Sequence, residues 1–155
     1  MKLIHPLLGL VPPPGIGTPV REGGVTGKVG YFGMTRVTEA GAPKEHKGID
    51  WLCPVGWPVF AAHAGKVLAS GWENPADHEQ GYGLRIRVGN GHGDGFEETR
   101  YGHLSRLLVV EGQEVEAGQV IGATGKSGNA RAEHIPAHLH FEVRKPSPVD
   151  PLEWV

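Results

Sequence analysis

Short segments in which polar and apolar residues alternate, separated by glycine and proline, restrict most strongly how this chain can fold. The clearest is residues 138–143, where His138, His140 and Glu142 alternate with apolar residues. A period of two is typical of a β-strand with one face toward a core. The chain also has 25 glycines and 13 prolines, which favour short strands joined by tight turns. We therefore predict an all-β fold, a compact antiparallel sheet or barrel-like sandwich.

Further strands follow from the same pattern. Residues 28–34 predict a strand that ends near Arg36, and Val37 to Glu45 predicts a polar loop that delivers His46. Residues 83–88 and 97–104, joined by the glycine-rich turn 89–95, predict an antiparallel hairpin that places His103 at a strand end. Other predicted strands cover residues 47–52, 58–62, 65–72 and a short segment through Thr124.

The length fits one domain. A chain of 155 residues and 16.6 kDa is enough for a single core. Residues 1–27 are rich in proline and glycine and predict an extended N-terminal lead-in that wraps over the domain, which would occupy residues 28–155.

Charge and special residues exclude several classes of partner. The net charge of -2 and the sequence pI near 6.5 do not indicate a protein that binds nucleic acid. No apolar stretch reaches the ~18 residues of a membrane span, and no export signal is evident, so we expect synthesis in the cytoplasm without membrane insertion. Cys53 is the only cysteine and is interpreted as a small core residue.

Two pairs of residues carry the chemistry. His138 and His140, two positions apart on a strand, project from the same face. His46 and Asp50 also have an even spacing, with Gly48 between them, where the missing side chain would let an ion approach closely. Together the pairs predict a zinc site.

The order of the motifs resembles the LytM/lysostaphin-type zinc metallopeptidases, which cut peptide bonds in bacterial peptidoglycan. The resemblance runs from about Gly30 to Arg144 and is carried by several short motifs: 32–36, His46-Lys47-Gly48-Ile49-Asp50, Pro58-Val59, 61–62 with Gly65, Gly81-Tyr82-Gly83, Tyr101-Gly102-His103-Leu104-Ser105, 112–113 with 117–122, and His138-Leu139-His140-Phe141-Glu142.

The resemblance implies a division of roles. His46, Asp50 and His140 would hold one Zn²⁺ per chain, while His103 and His138 would act as catalytic residues beside it. Three protein ligands leave a fourth position open, and zinc then acts as a Lewis acid that makes hydroxide available near neutral pH. The two flanking histidines would accept a proton, pass one to the leaving amine or stabilise the oxyanion, and the sequence does not divide these tasks between them.

The chain departs from the family pattern at two places. Residues 126–137 form an apparent insertion that contains Arg131, Glu133 and His134, and we expect this long loop to border the substrate groove. His63 stands where many relatives carry an acidic or small polar residue, and we interpret it as a surface difference.

Other candidates have a plain structural interpretation. A single histidine is most often a surface or hydrogen-bonded structural residue, so we assign no role to His5, His63, His78 and His92 and keep His134 outside the ligand set. Trp51 is expected in the core. Arg36 and Tyr101 are candidates to line the cleft, with an ion pair as the alternative for Arg36. Glu142 is expected either to orient a ligand from behind or to be solvated.

The leading hypothesis is a monomeric zinc endopeptidase that acts on stem or cross-bridge peptides of bacterial peptidoglycan. We expect a phage or prophage lytic enzyme, made in the cytoplasm and acting on the cell wall after release or within a phage particle. The alternative is a noncatalytic member of the fold that binds the wall or activates an amidase. A carrier-type barrel, suggested by the turn at 116–119, lacks a lysine in the required context.

Overall fold

The computed structural model describes residues 3–7, 30–91 and 95–155. In this part of the chain eleven strands follow one another: β1 (Gly33–Val37), β2 (Pro43–His46), β3 (Ile49–Leu52), β4 (Pro58–Phe60), β5 (Gly65–Trp72), β6 (Leu84–Gly89), β7 (Glu98–Leu107), β8 (Glu114–Val115), β9 (Val120–Thr124), β10 (His138–Arg144) and β11 (Pro148–Val149). Two short 3₁₀ helices span Gly128–Arg131 and Pro151–Glu153. The predicted all-β antiparallel architecture is confirmed.

One large antiparallel sheet carries most of these strands. Its order is β11-β10-β7-β6-β5-β8. Strand β3 pairs with β10 on the same edge as β11, and β9 pairs with both β7 and β4. Strands β1 and β2 form a separate antiparallel pair. Because β10 is hydrogen bonded to β7 along one edge and to β3 along the other, its side chains are fixed in register with both neighbours.

The core lies under the apolar face of β10. Leu139, Phe141 and Val143 are fully buried, and Phe141 contacts the rings of Trp51 at 5.4 Å and Tyr101 at 5.3 Å. The polar side chains of the same strand therefore emerge on the opposite face. The predicted strand alternation is confirmed here, and so is the predicted core position of Trp51.

The predicted hairpin of residues 83–88 and 97–104 is also confirmed, since β6 pairs with β7 in antiparallel register. His103 does not lie at a strand end as predicted. Strand β7 continues to Leu107, because the pairing shifts past an irregularity near Leu104 and resumes with β9.

The polar loop predicted for Val37 to Glu45 is partly wrong. Residues 43–46 form β2 and pair with β1, and the turn between them is closed by a hydrogen bond from the amide of Thr38 to the carbonyl of Ala42 at 2.8 Å. Lys44 and Glu45 are both exposed, so polar and apolar residues do not alternate along this strand. Backbone pairing alone defines this strand.

Five residues of the predicted N-terminal lead-in are described, and they lie against the domain. Leu3 and Leu7 are buried, and the amide of Phe60 donates to the carbonyl of Pro6 at 2.8 Å. Residues 8–27 lie outside the described residues, so the boundary at 27 stays a prediction. No helix in the described residues has the length and hydropathy needed to cross a bilayer.

Candidate metal centre

Three buried side chains converge on the polar face of the sheet: His46 at the end of β2, Asp50 in β3 and His140 in β10. His46 Nε2 lies 3.2 Å from both His140 Nδ1 and Asp50 Oδ1, and the last two atoms are 2.8 Å apart. In a tetrahedral zinc site with bonds of ~2.1 Å, ligand atoms are ~3.4 Å from one another. Two imidazoles and one carboxylate thus fit zinc in type, number and spacing.

Outer hydrogen bonds orient both imidazoles. His46 Nδ1 lies 2.8 Å from the carbonyl oxygen of Tyr31, and His140 Nε2 lies 2.9 Å from Glu142 Oε1. Each of these nitrogens donates its proton to the oxygen, so in the neutral ring, the form that binds a metal, the lone pair lies on the other nitrogen and faces the cluster. Glu142 therefore makes the ligand-orienting contact that the sequence suggested.

The electrostatics of the cluster are those of a site arranged for a cation. Burial would raise the pKa of Asp50, but hydrogen bonds from His140 and His46 hold it well below its usual value. Burial would lower the pKa of His140, but its bonds to Asp50 and Glu142 raise it to about 9. Both shifts have the same cause, since the buried carboxylates of Asp50 and Glu142 favour positive charge at this position.

Arg36 forms an ion pair with Asp50 through Oδ2, the carboxylate oxygen that does not face His46. Its side chain is 30% exposed and lines the groove. Both interpretations given for Arg36 therefore hold together, since it is an ion-pair partner as well as part of the groove wall.

Two further histidines stand beside the cluster. The ring centroid of His103 lies 5.0 Å from that of His138 and 5.9 Å from that of His140, and His138 Nε2 is 3.6 Å from Asp50 Oδ2. His103 Nδ1 lies 2.8 Å from the carbonyl oxygen of Ser127, and His138 Nδ1 lies 2.8 Å from that of Pro136. Because each Nδ1 donates to a carbonyl, each Nε2 is left as an acceptor.

Burial keeps both of these rings neutral. Desolvation, together with the nearby His138 and His140, lowers the pKa of His103 to about 3. Desolvation also lowers the pKa of His138, although Asp50 opposes the shift. At neutral pH the two rings are therefore proton acceptors placed beside the cluster.

The backbone around His103 is unusual. Among the described residues other than glycine, only His103 has a positive φ, at 59°, in the left-handed region. Its amide donates to the carbonyl of Tyr82 at 2.7 Å, and Tyr82 is flanked by Gly81 and Gly83, both also at positive φ. These contacts hold the ring of His103 toward the cluster, so the strained conformation is maintained by the chain around it.

The cluster opens into a groove of about 460 Å³. Three of its lining residues, Arg36, His103 and His140, were predicted at the site from the sequence. Most of the others were not predicted there: Lys47, Glu73, Gly81, Tyr82, Arg100, Asn129 and Arg144. Asn129 belongs to the 126–137 loop, which therefore borders the groove as expected. The sequence did contain a signal for Arg100 and Arg144. Each lies an even number of residues from a site position on its own strand, Gly102 in β7 or His140 in β10, and so projects from the same face.

Three expectations need correction. Tyr101 does not line the cleft: it is fully buried in the core, where its hydroxyl accepts from the amide of Ala62 at 2.9 Å. His63 is not a surface difference, because it is 5% exposed and lies 2.9 Å from the Thr99 hydroxyl through Nε2. A Cβ on Gly48 would lie 2.3 Å from the carbonyl oxygen of Phe141, so this glycine serves the close approach of β10 rather than of an ion.

The remaining histidines and the cysteine agree with their plain interpretation where they are described. His134 is exposed, His78 stacks on Trp72 with centroids 3.8 Å apart, and His5 packs on Trp51 at 3.9 Å. Cys53 is buried, and burial raises the pKa of its thiol to about 11. His92 lies outside the described residues.

An antiparallel sheet with a His/Asp/His cluster at the base of an open groove has the organisation of a metallopeptidase. The chain belongs to peptidase family M23, whose model matches residues 44–151. This confirms the resemblance stated from the motifs.

Relatives and solved structures agree with this membership. The chain is 38% identical over 97 residues to the glycyl-glycine endopeptidase ALE-1 of Staphylococcus capitis, a match that covers 63% of this chain and 24% of that protein. A zinc containing peptidase from Vibrio cholerae is similar in structure, with a TM-score of 0.70 and 28% identity over 98% of this chain and 40% of the other. The catalytic domain of lysostaphin from Staphylococcus simulans has a TM-score of 0.62 and 32% identity, covering 80% of this chain and 86% of the other.

Proposed function

We propose that this chain is a zinc-dependent endopeptidase that hydrolyses peptide bonds in bacterial peptidoglycan, with His46, Asp50 and His140 as the zinc ligands. The observation that carries the proposal is the approach of three ligand atoms to within 3.2 Å of one another in a buried cluster that borders an open groove. A zinc containing peptidase and a glycyl-glycine endopeptidase among the similar proteins support it.

The residues of this chain would divide the work as follows. A zinc ion supplies Lewis acidity and a nucleophile near neutral pH. His103 and His138 present neutral Nε2 atoms beside the cluster, and each can accept a proton there and return it to the leaving amine. The carbonyls of Ser127 and Pro136 hold the two rings and stabilise the positive charge that forms when either ring is protonated.

The first test is turnover. Zinc-loaded protein is incubated with purified cell walls of several cross-link types, and newly released amino groups are counted and assigned by mass spectrometry. We expect release from at least one wall type, with loss of activity on chelation and recovery on addition of zinc. If protein that holds stoichiometric zinc releases nothing from any wall but sediments with it, a noncatalytic wall-binding role replaces the proposal.

Variants separate binding of zinc from turnover. His140→Ala is expected to lose both, since it removes a ligand. His103→Ala is expected to keep one zinc per chain while kcat falls by roughly 10²- to 10⁴-fold, the usual contribution of a proton-transfer group. His78→Ala, an exposed histidine stacked on Trp72, is the matched control and should change neither. Zinc loss in His103→Ala would contradict the division of roles.

The biological setting is also a proposal. The match covers 24% of the length of ALE-1, so the activity of the whole relative does not transfer to this chain. A lytic enzyme of phage or prophage origin that reaches the wall after release, acting as a monomer, remains our expectation. Digestion of defined muropeptides would identify the bond that is cut.

A further inference from the structure

The groove continues beyond the cluster along the polar face of the sheet. On β10, Glu142 and Arg144 follow His140 on that face, and Arg100 of β7 lies directly opposite Glu142 in the register of the two strands. Arg100 and Arg144 are diagonal neighbours in this register, ~7–8 Å apart, a distance that long side chains can span. Two guanidinium groups therefore line one end of the groove.

Each guanidinium is held by a buried glutamate. Arg144 donates from Nε and from Nη2 to Glu142 Oε2, both at 2.8 Å, and Arg100 donates from Nε to Glu98 Oε1 at 2.7 Å. Glu142 is fully buried and Glu98 is 7% exposed, while the side chains of Arg144 and Arg100 remain 16% and 22% exposed. Arg144 also has the Tyr82 side chain as a hydrogen-bond partner. An arginine has five N–H donors in a rigid fork, so the glutamate and the tyrosine leave further N–H groups for a ligand.

The charge of the groove favours an anionic ligand. Four cations, Arg36, Lys47, Arg100 and Arg144, line it together with a single carboxylate from Glu73. The three arginines are each partly neutralised by a paired carboxylate, from Asp50, Glu98 or Glu142. These carboxylates are buried behind the arginines. The surface that meets a ligand is thus positive, and the concave shape strengthens its field.

We propose that Arg100 and Arg144 form a carboxylate-binding subsite, so that the preferred substrates are peptides with a free carboxylate two to four residues from the bond that is cut. This rests on the proposed function. The spacing follows from the strand: Glu142 and Arg144 lie two and four residues beyond His140, about 7–14 Å at ~3.4 Å per residue, and an extended peptide covers that span with two to four residues. A neutral cross-bridge, such as a run of glycines, offers no such group.

The test compares two synthetic stem peptides that differ only in whether the α-carboxyl group of the D-glutamate residue is free or amidated. Each peptide is measured in two ways. The zinc-loaded parent protein gives kcat/KM for the peptide as a substrate. Calorimetry with the zinc-loaded His103→Ala variant gives its binding affinity, a measurement that does not depend on turnover. We expect the free carboxylate to be preferred roughly tenfold or more in both, the usual effect of a charge-assisted hydrogen bond.

Substitutions assign the preference to the two arginines. Arg100→Gln and Arg144→Gln should each reduce the preference toward one, with kcat/KM falling on the free acid and changing little on the amide. The rate of hydrolysis of the amidated peptide and the zinc content of each variant show whether a substitution has disturbed the cluster through Glu142. Arg144→Lys keeps the positive charge and should retain part of the preference. Arg106→Gln, an exposed arginine at the other end of β7, is the matched control.

The outcomes distinguish the two proposals. Equal rates and equal binding for the free acid and the amide would overturn the subsite while leaving the endopeptidase intact. A binding preference that both glutamine variants abolish, with no hydrolysis of either peptide or of any wall, would support the subsite and overturn the endopeptidase. A preference that survives in both glutamine variants would assign it to other residues and overturn the subsite.

Discussion

Hydrogen bonds to backbone carbonyls, and in one case to a carboxylate, decide which nitrogen each histidine of the site presents. His46, His103 and His138 all donate Nδ1–H to a main-chain oxygen at 2.8 Å, whereas His140 faces the cluster through Nδ1 and donates from Nε2 to Glu142. Burial keeps the two flanking rings neutral. The nitrogen that each ring presents therefore follows from its hydrogen-bond partner, and the neutral state of the two flanking rings follows from their burial.

The positive φ of His103 predicts a measurable strain. At 59° a side chain with a Cβ is disfavoured by roughly 1 kcal/mol or more, whereas glycine adopts this conformation freely. His103→Gly should therefore have a free energy of unfolding roughly 1 kcal/mol above that of His103→Ala, although both lack the imidazole. Urea denaturation of the two zinc-loaded variants measures the difference. If the alanine variant is the more stable, the left-handed backbone is not a source of strain.

His63 predicts a pH dependence that is independent of the metal centre. Its Nδ1 donates to the carbonyl of Ala64 and its Nε2 lies 2.9 Å from the Thr99 hydroxyl, so the buried ring is neutral and desolvation lowers its pKa. The unfolded chain binds the proton more readily, with a pKa near 6.5. The contribution of His63 to stability is therefore complete above about pH 6.5 and is lost as the pH falls toward its folded pKa.

Replacing this residue tests the sign. His63→Gln should be less stable than the parent at about pH 7, and the difference should shrink toward about pH 5, because only the parent must take up the extra proton on unfolding. Chemical denaturation at a series of pH values measures both. Two curves that stay parallel over this range would show that His63 does not titrate on unfolding.

Among the strands, those with one buried face were predictable from the sequence, whereas a strand exposed on both faces was not. Strand β10 was predicted with its site residues because Leu139, Phe141 and Val143 alternate with polar residues and pack into the core. Strand β2 was missed because most of its side chains are exposed on both faces. The burial of Tyr101 and His63 depends on the register in which β7 pairs with its neighbouring strands. The alternation of polar and apolar residues within one strand does not determine that register.

The contact between the segment at Gly48 and β10 predicts a steric requirement. A Cβ at this position would lie 2.3 Å from the backbone oxygen of Phe141 and 3.0 Å from His140 Nε2, and backbone cannot give way as a flexible side chain does. Gly48→Ala should therefore lower the free energy of unfolding by about 1–3 kcal/mol and weaken zinc binding by displacing His140. Gly91→Ala, where a Cβ meets nothing within 4 Å, is the control.

Denaturation and zinc titration of both glycine variants give the answer. The expected result is loss of stability and affinity in Gly48→Ala alone. Unchanged zinc affinity in that variant would show that β10 moves as a unit without disturbing its ligand. Equal losses in both variants would instead attribute the effect to the general cost of replacing glycine.

At the scale of the whole molecule, the proposed ligands join two separate sheets. His46 ends β2 of the two-stranded sheet, while Asp50 and His140 belong to β3 and β10 of the large sheet. Without an ion, the described contacts across this junction include the bond from the amide of Asp50 to the carbonyl of Gly30 and the ion pair of Arg36 with Asp50. Zinc held by all three ligands would add a direct link between the sheets.

Removal of zinc should therefore act mainly on one part of the molecule. Free zinc at 100 times its dissociation constant stabilises a folded protein by about 2.7 kcal/mol, so chelation should lower the melting temperature and reveal that difference. Amide hydrogen exchange should accelerate most in β1 and β2, because their link to the large sheet is weakened, and least in β7 and β10, which are paired on both edges. The His140→Ala variant should show the exchange pattern of the zinc-free protein with or without added zinc. Uniform acceleration across all strands would mean that zinc stabilises the fold globally instead of joining the two sheets.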